Sequence, residues 1–148
     1  MSRGSLTAAA SGLLAVGAAL GVGHLVAGLV SVPESSPFVA VGNAAIDRTP
    51  APVKDFAITT FGTADKPALL VGMAVVLALL GAAIGLASRR SRWPGLVSIA
   101  VLGGIGLLAV YEQSAQRVGL LAPTVALAAG LASFWGLHAW ARPDEPAA

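Results

Sequence analysis

Pro67–Ala87 reads PALLVGMAVVLALLGAAIGLA, and Ser88–Trp93 then reads SRRSRW. The first stretch carries no Asp, Glu, Lys or Arg, and its length falls within the roughly 17–25 apolar residues that a helix needs to cross a bilayer. The second packs Arg89, Arg90 and Arg92 into four positions. An uncharged run that stops at a dense basic link reads as a membrane span reaching a membrane surface. Outward from it lie three more apolar runs: Leu6–Val32, Pro94–Val110 and Val118–Ala141. Leu6–Val32 follows Arg3 in the manner of a signal peptide. A signal h-region, however, is only ~7–15 residues long, so a retained helix is the expectation. The chain thus reads as a four-helix membrane domain over residues 1–141, with spans at about 6–32, 67–87, 94–110 and 118–141. A loop occupies 33–66, and 142–148 (RPDEPAA) forms a polar, Pro-rich tail.

Composition agrees. Of 148 residues, 56% are hydrophobic and 11% charged, less than half the ~25% charged content of a soluble domain. The mean hydropathy is +0.82. So few charges cannot coat a water-soluble globule, which excludes an ordinary soluble enzyme and a disordered chain alike. The 18 glycines, on an Ala-rich background, suit helices whose backbones approach closely in lipid. The net charge is +2 with no basic block of the kind that marks a nucleic-acid partner. Cysteine is absent, which excludes disulfides, thiolate metal centres, Fe–S clusters and covalently attached haem.

Charge distribution predicts sidedness. If four helices alternate, Arg3, Arg89, Arg90, Arg92 and Arg142 share one side. The other side holds Arg48, Lys54, Lys66 and Arg117, diluted by Glu34, Asp47, Asp55, Asp65 and Glu112. Dense basic charge in a short loop dominates orientation. Both termini are therefore expected in the cytoplasm of a multi-pass plasma-membrane protein, with Trp93, Trp135 and Trp140 as an aromatic belt on that side and 33–66 as an extracytoplasmic loop. Within this loop, Ser36-Pro37 and Thr49-Pro50 are helix-start signals. Val53, Phe56, Ala57, Thr60 and Phe61 form one helical stripe, Gly62 suits a helix C-terminus, and Asp65 suits an N-cap. The expectation is short helices in the headgroup zone or tucked over the bundle. The fold class is thus an all-α membrane protein, a four-transmembrane-helix bundle with an ordered extracytoplasmic loop of short interfacial helices.

Small residues predict helix contacts at Gly17, Gly21 and Gly28 beside His24, at Gly81 and Gly85, and at Ala122, Ala126 and Gly130. His24 is an intramembrane ionisable group, and so a candidate for cofactor interaction. The competing reading is a neutral imidazole bonded to a neighbouring helix. His138 is expected near the opposite face, which argues against one haem shared by the two. Glu112 and Arg117 bracket the link after the third run, to pair with each other or with the first outer loop, or to remain solvated. No apolar run carries an acidic residue, Lys or Arg at its centre, which argues against ion-coupled transport. No phosphate loop, nucleophile elbow or metalloprotease helix appears. No catalytic or metal-ligating set is assigned, and no cofactor is expected to be bound by this chain.

Ser36–Gly72 carries further information. SSP (Ser35–Pro37), AVG (Ala40–Gly42), Ile46-Asp47 followed by Thr49-Pro50, KDFAI (Lys54–Ile58) and FGTADKPALL (Phe61–Leu70), together with GVGHLVAGLV (Gly21–Val30), resemble the N-terminal membrane region of actinobacterial membrane-bound molybdopterin-dependent oxidoreductases of the sulfite-oxidase type. The specific part, Ser36–Gly72 together with Gly21–Val30, covers about a third of the chain. In that family the helices lead through a twin-arginine-like segment and a further helix to an extracytoplasmic molybdopterin domain, so the resemblance implies molybdopterin only in a partner or a missing domain. Two origins fit, a truncated or split product and a stand-alone membrane subunit. The implied role is a membrane anchor or docking domain, with Asp47, Lys54, Asp55, Phe56, Phe61, Asp65 and Lys66 as docking candidates. A quinone-interacting electron-transfer subunit using His24 and a small transport or channel-like protein are the alternatives.

Overall fold

The computed structural model describes residues 3–30, 35–62, 65–113 and 117–140, without the side chains of residues 3, 57, 58, 61, 65 and 66. It is all-helical: α1 (Arg3–Leu29), α2 (Pro37–Arg48), α3 (Ala51–Phe61), α4 (Asp65–Ala87), α5 (Trp93–Gln113) and α6 (Leu121–Trp140), with a 3-10 turn at Arg117–Leu120 leading into α6. Four helices are long and apolar enough to cross a membrane: Gly4–Leu29, Pro67–Ala87, Trp93–Gln113 and Arg117–Trp140. At 1.5 Å per residue, α5 is about 31 Å long, the depth of a hydrocarbon core. Leu14, Leu25, Val71, Leu79, Val101 and Leu108 are exposed along these helices. An apolar surface this continuous is stable against lipid and would aggregate in water.

The spans alternate in direction. One end gathers the start of α1, the end of α4, the Arg89–Arg92 link and the end of α6. We call it the arginine end, and the opposite one the loop end. The central helix is α1, packed most extensively on α6 and next on α4. α5 lies on α6, while the consecutive helices α4 and α5 barely touch.

Glycine sets the closest approach. A Cβ on Gly12 would collide with the Gly81 carbonyl oxygen and the Gly85 backbone, and one on Gly85 would collide with the Ala8 carbonyl. On the other flank of α1, a Cβ at Gly130 of α6 would lie 3.0 Å from the Ala19 Cβ. The Gly81/Gly85 and Ala122/Ala126/Gly130 stripes therefore do meet neighbouring helices. The Gly17/Gly21/Gly28 stripe does not: a Cβ at any of the three would meet nothing within 4 Å. The contact face of α1 instead runs through Gly12, Ala15, Gly23 and Ala27, all buried. This corrects the sequence expectation: α1 is glycine-rich on more than one face, and α4 and α6 select the face that fits theirs.

Two cores result. Ala15, Ile84, Ile99 and Phe134 form one through the spans, and Phe134 is fully buried. Its ring occupies the space a side chain on Gly95 would need. Ala40, Ala109 and Val110 form the second, at the loop end. Between them α2 lies across the bundle mouth. Pro37 abuts Gly23 and Gly106, and Gly42 faces Met73. Beneath α2 is an apolar cavity of about 120 Å³, lined among others by Leu20, Phe38, Leu77 and Leu127.

Candidate docking face at the loop end

Two short helices build this end. Pro37 opens α2 and presets its φ angle, as expected. Ser36 is the N-cap residue, but its side chain makes no capping bond. Its hydroxyl is buried and lies 3.2 Å from His24 Nδ1. His24, about 8 Å from the end of α1 at 1.5 Å per residue, is thus bonded to the residue that starts α2, with its ring otherwise largely exposed. His138 lies at the arginine end, its ring stacked on Phe134 at 5.6 Å, so the two imidazoles stand at opposite ends of the bundle. Among the described residues, no three of His, Asp and Glu gather in a way that could hold a metal ion.

Polar bonds at the surface lock α2 to α5. Gln113 Nε2 donates to the Ala40 carbonyl at 2.7 Å. The Arg48 guanidinium donates to Glu112 Oε2 at 2.6 Å. The bond to Glu112, then its charge, and more weakly the charge of Asp47, hold the guanidinium above its ordinary pKa against a small opposing desolvation. Of the partners open to Glu112 in the sequence, the structure selects the first outer loop. Neither Arg48 nor Gln113 stood out as a site residue in the sequence. The available signal was an acid at the very end of an apolar helix, which needs a cation nearby.

The second short helix, α3, behaves differently. It begins after Pro50, ends at Gly62 with φ +56°, and has only a slight contact with α4. Val53 and Phe56 are 54% and 64% exposed. This corrects one of the two expected placements. To the extent that its side chains are described, the apolar stripe is not tucked over the bundle but turned away from it. Lys54 is half-buried, while Asp47 and Asp55 are exposed. The side chains of Phe61, Asp65 and Lys66 lie outside the described residues. Asp65 itself is already helical, in the first turn of α4, rather than the cap ahead of it. The face that emerges carries charges of both signs around an apolar ridge, held out from the membrane spans by a clamped α2. Its chemistry is that of an interface: it offers apolar area and ion pairing, and among the described residues no metal-holding group is assembled. No family model matches the chain, and neither does a curated protein or a solved structure.

Proposed function

We propose that this chain is the membrane anchor and docking domain of an extracytoplasmic molybdopterin-dependent oxidoreductase, with both termini in the cytoplasm and the loop end outside. The observation that carries the reading is α3. An amphipathic helix whose Phe56 is turned away from its own bundle needs another surface, and burying a phenylalanine is worth ~1.5–3 kcal/mol. The resemblance of Ser36–Gly72 to the membrane region of that enzyme class supplies the identity of the partner. The arginine link supplies the orientation, because dense short-loop charge stays on the cytoplasmic side. In this role the four spans hold the assembly in the bilayer, and the ion pair and amide bond between α2 and α5 fix the base on which α3 stands. Molybdopterin chemistry belongs to the partner, and no residue here takes part in it.

The test is Phe56→Asp combined with Phe61→Asp, followed by purification from native membranes. Loss of a co-purifying molybdenum protein, with the variant still integral to the membrane, is the expected result. Unchanged co-purification and unchanged membrane extraction sink the docking role.

His24 favours a second reading. Its imidazole, exposed beside Ser36 at the start of α2, suits contact with a quinone. A quinone-reduction assay comparing the native complex with its His24→Ala form separates electron transfer from passive anchoring: an unchanged rate leaves the anchor.

A further inference from the structure

The link between α4 and α5 holds Arg89, Arg90 and Arg92 at the end of two membrane spans. The described acidic residues, Asp47, Asp55, Asp65 and Glu112, all belong to the loop end, about 30 Å away at 1.5 Å per helical residue. Neither Arg90 nor Arg92 has an ion pair among the described residues. Arg92 is nevertheless held in place, its guanidinium carbon 4.1 Å from the centre of the Trp135 ring. This cation–π contact restrains the guanidinium, whose N–H groups can still donate to an oxyanion.

This side chain borders a cleft of about 280 Å³, lined by Arg90, Arg92, Trp93, Trp135 and His138. A second cleft, of about 230 Å³, lies on the other side of His138 and is lined by Thr7, Ser11 and Arg89. One water needs roughly 10–15 Å³ of such space, so the larger cleft has room for a phosphate group. Trp93 and Trp135 are 66% and 50% exposed at the same level, which is where indoles sit among headgroups.

We infer that the cleft between the arginine link and the end of α6 binds the phosphate of an anionic membrane phospholipid. Its partners are Arg90 and Arg92, and the lipid's acyl chains continue down the apolar flanks of α5 and α6. The chemistry discriminates against zwitterionic lipids. A choline or ethanolamine cation meets two arginines, and the Trp135 face that would attract it by cation–π contact is already covered by Arg92. An anionic headgroup brings a net negative charge to a positive pair that has no acidic partner among the described residues, and basic pockets between spans are suited to such lipids.

The experiment is native mass spectrometry of the detergent-solubilised chain, equilibrated with equimolar phosphatidylglycerol and phosphatidylcholine. The expected result is retention of phosphatidylglycerol over phosphatidylcholine, with the preference falling about fivefold in Arg90→Gln and about 30-fold in Arg90→Gln/Arg92→Gln, at the contribution typical of an arginine near an anionic surface. Arg90 is exposed, so its single variant reports on binding rather than folding. Arg48→Gln, at the loop end, is expected to leave the preference intact. A second arm adds inorganic phosphate in large excess. Continued retention of phosphatidylglycerol identifies the lipid as the ligand, whereas its displacement marks a free-phosphate site and overturns the assignment. Equal retention of the two lipids by the native chain, or an unchanged preference in the double variant, also overturns it.

Discussion

At the scale of single residues, the glycines separate positions that carry the fold from positions that merely share its composition. Gly12 and Gly85 occupy a backbone-to-backbone contact in which a methyl group meets carbonyl oxygen or main chain. Gly17 belongs to the same helix as Gly12 and faces open space. Gly12→Ala and Gly85→Ala are therefore expected to lower unfolding stability in detergent by about 1–3 kcal/mol, the cost of overpacking. Gly17→Ala should be neutral or raise it by up to about 1 kcal/mol through helix propensity. Denaturant titration followed by circular dichroism checks both. Equal behaviour of the two substitutions would mean that α1 packs through another face. This distinction marks a limit of sequence reading. Gly81 and Gly85 were legible because they stand four residues apart on one face and α4 has only one other glycine, Gly72. In α1, glycine at 12, 17, 21, 23 and 28 fits several faces equally well, and only the shape of the neighbouring helices decides among them.

At the scale of elements, the two short helices diverge although their sequences announce them in the same way, each by a Pro near its start. α2 presents Ala40 and Ala44, small enough to seat against Ala109 and Val110, and is then fastened by Gln113 and by the Arg48–Glu112 pair. α3 presents Val53 and Phe56 with nothing of its own chain to cover them. Its helical period was readable from residue spacing; the direction of its stripe was not, because direction depends on how Thr49 and Pro50 turn the chain. Gln113→Leu is expected to remove one interhelical bond, worth about 1 kcal/mol, and to speed amide exchange across α2 while α1 and α4 keep their protection. Protection unchanged in α2 would show that the alanine packing holds it alone. Arg48→Gln is expected to loosen α2 at low ionic strength and to make little difference in high salt, since the pair is exposed and screened. Exchange rates measured at both salt concentrations test this.

At the scale of the whole molecule, the four long apolar helices were legible from uncharged length alone. Their neighbour relations were not legible, because in lipid every apolar face is equally soluble and only local shape chooses partners. The structure puts the first span between the second and the fourth and leaves α4 and α5 nearly apart. A chain divided at the arginine link is therefore expected to reassemble. A tagged fragment of residues 1–92 should retrieve residues 93–148 from membranes where both are expressed, and Gly130→Leu, which drives a side chain into Ala19 and Ile99, should abolish the recovery. Failure of the unmodified halves to associate would contradict the central position of α1. That position also sets a timetable for synthesis. Of these four spans α1 is made before α6, and one of its flanks waits for α6, so during translation it must idle beside the insertion machinery with that flank unmatched. Surveillance proteases that scan the bilayer for lone spans would see every interrupted copy as unfinished, and only the arrival of the closing helix would hide the mark.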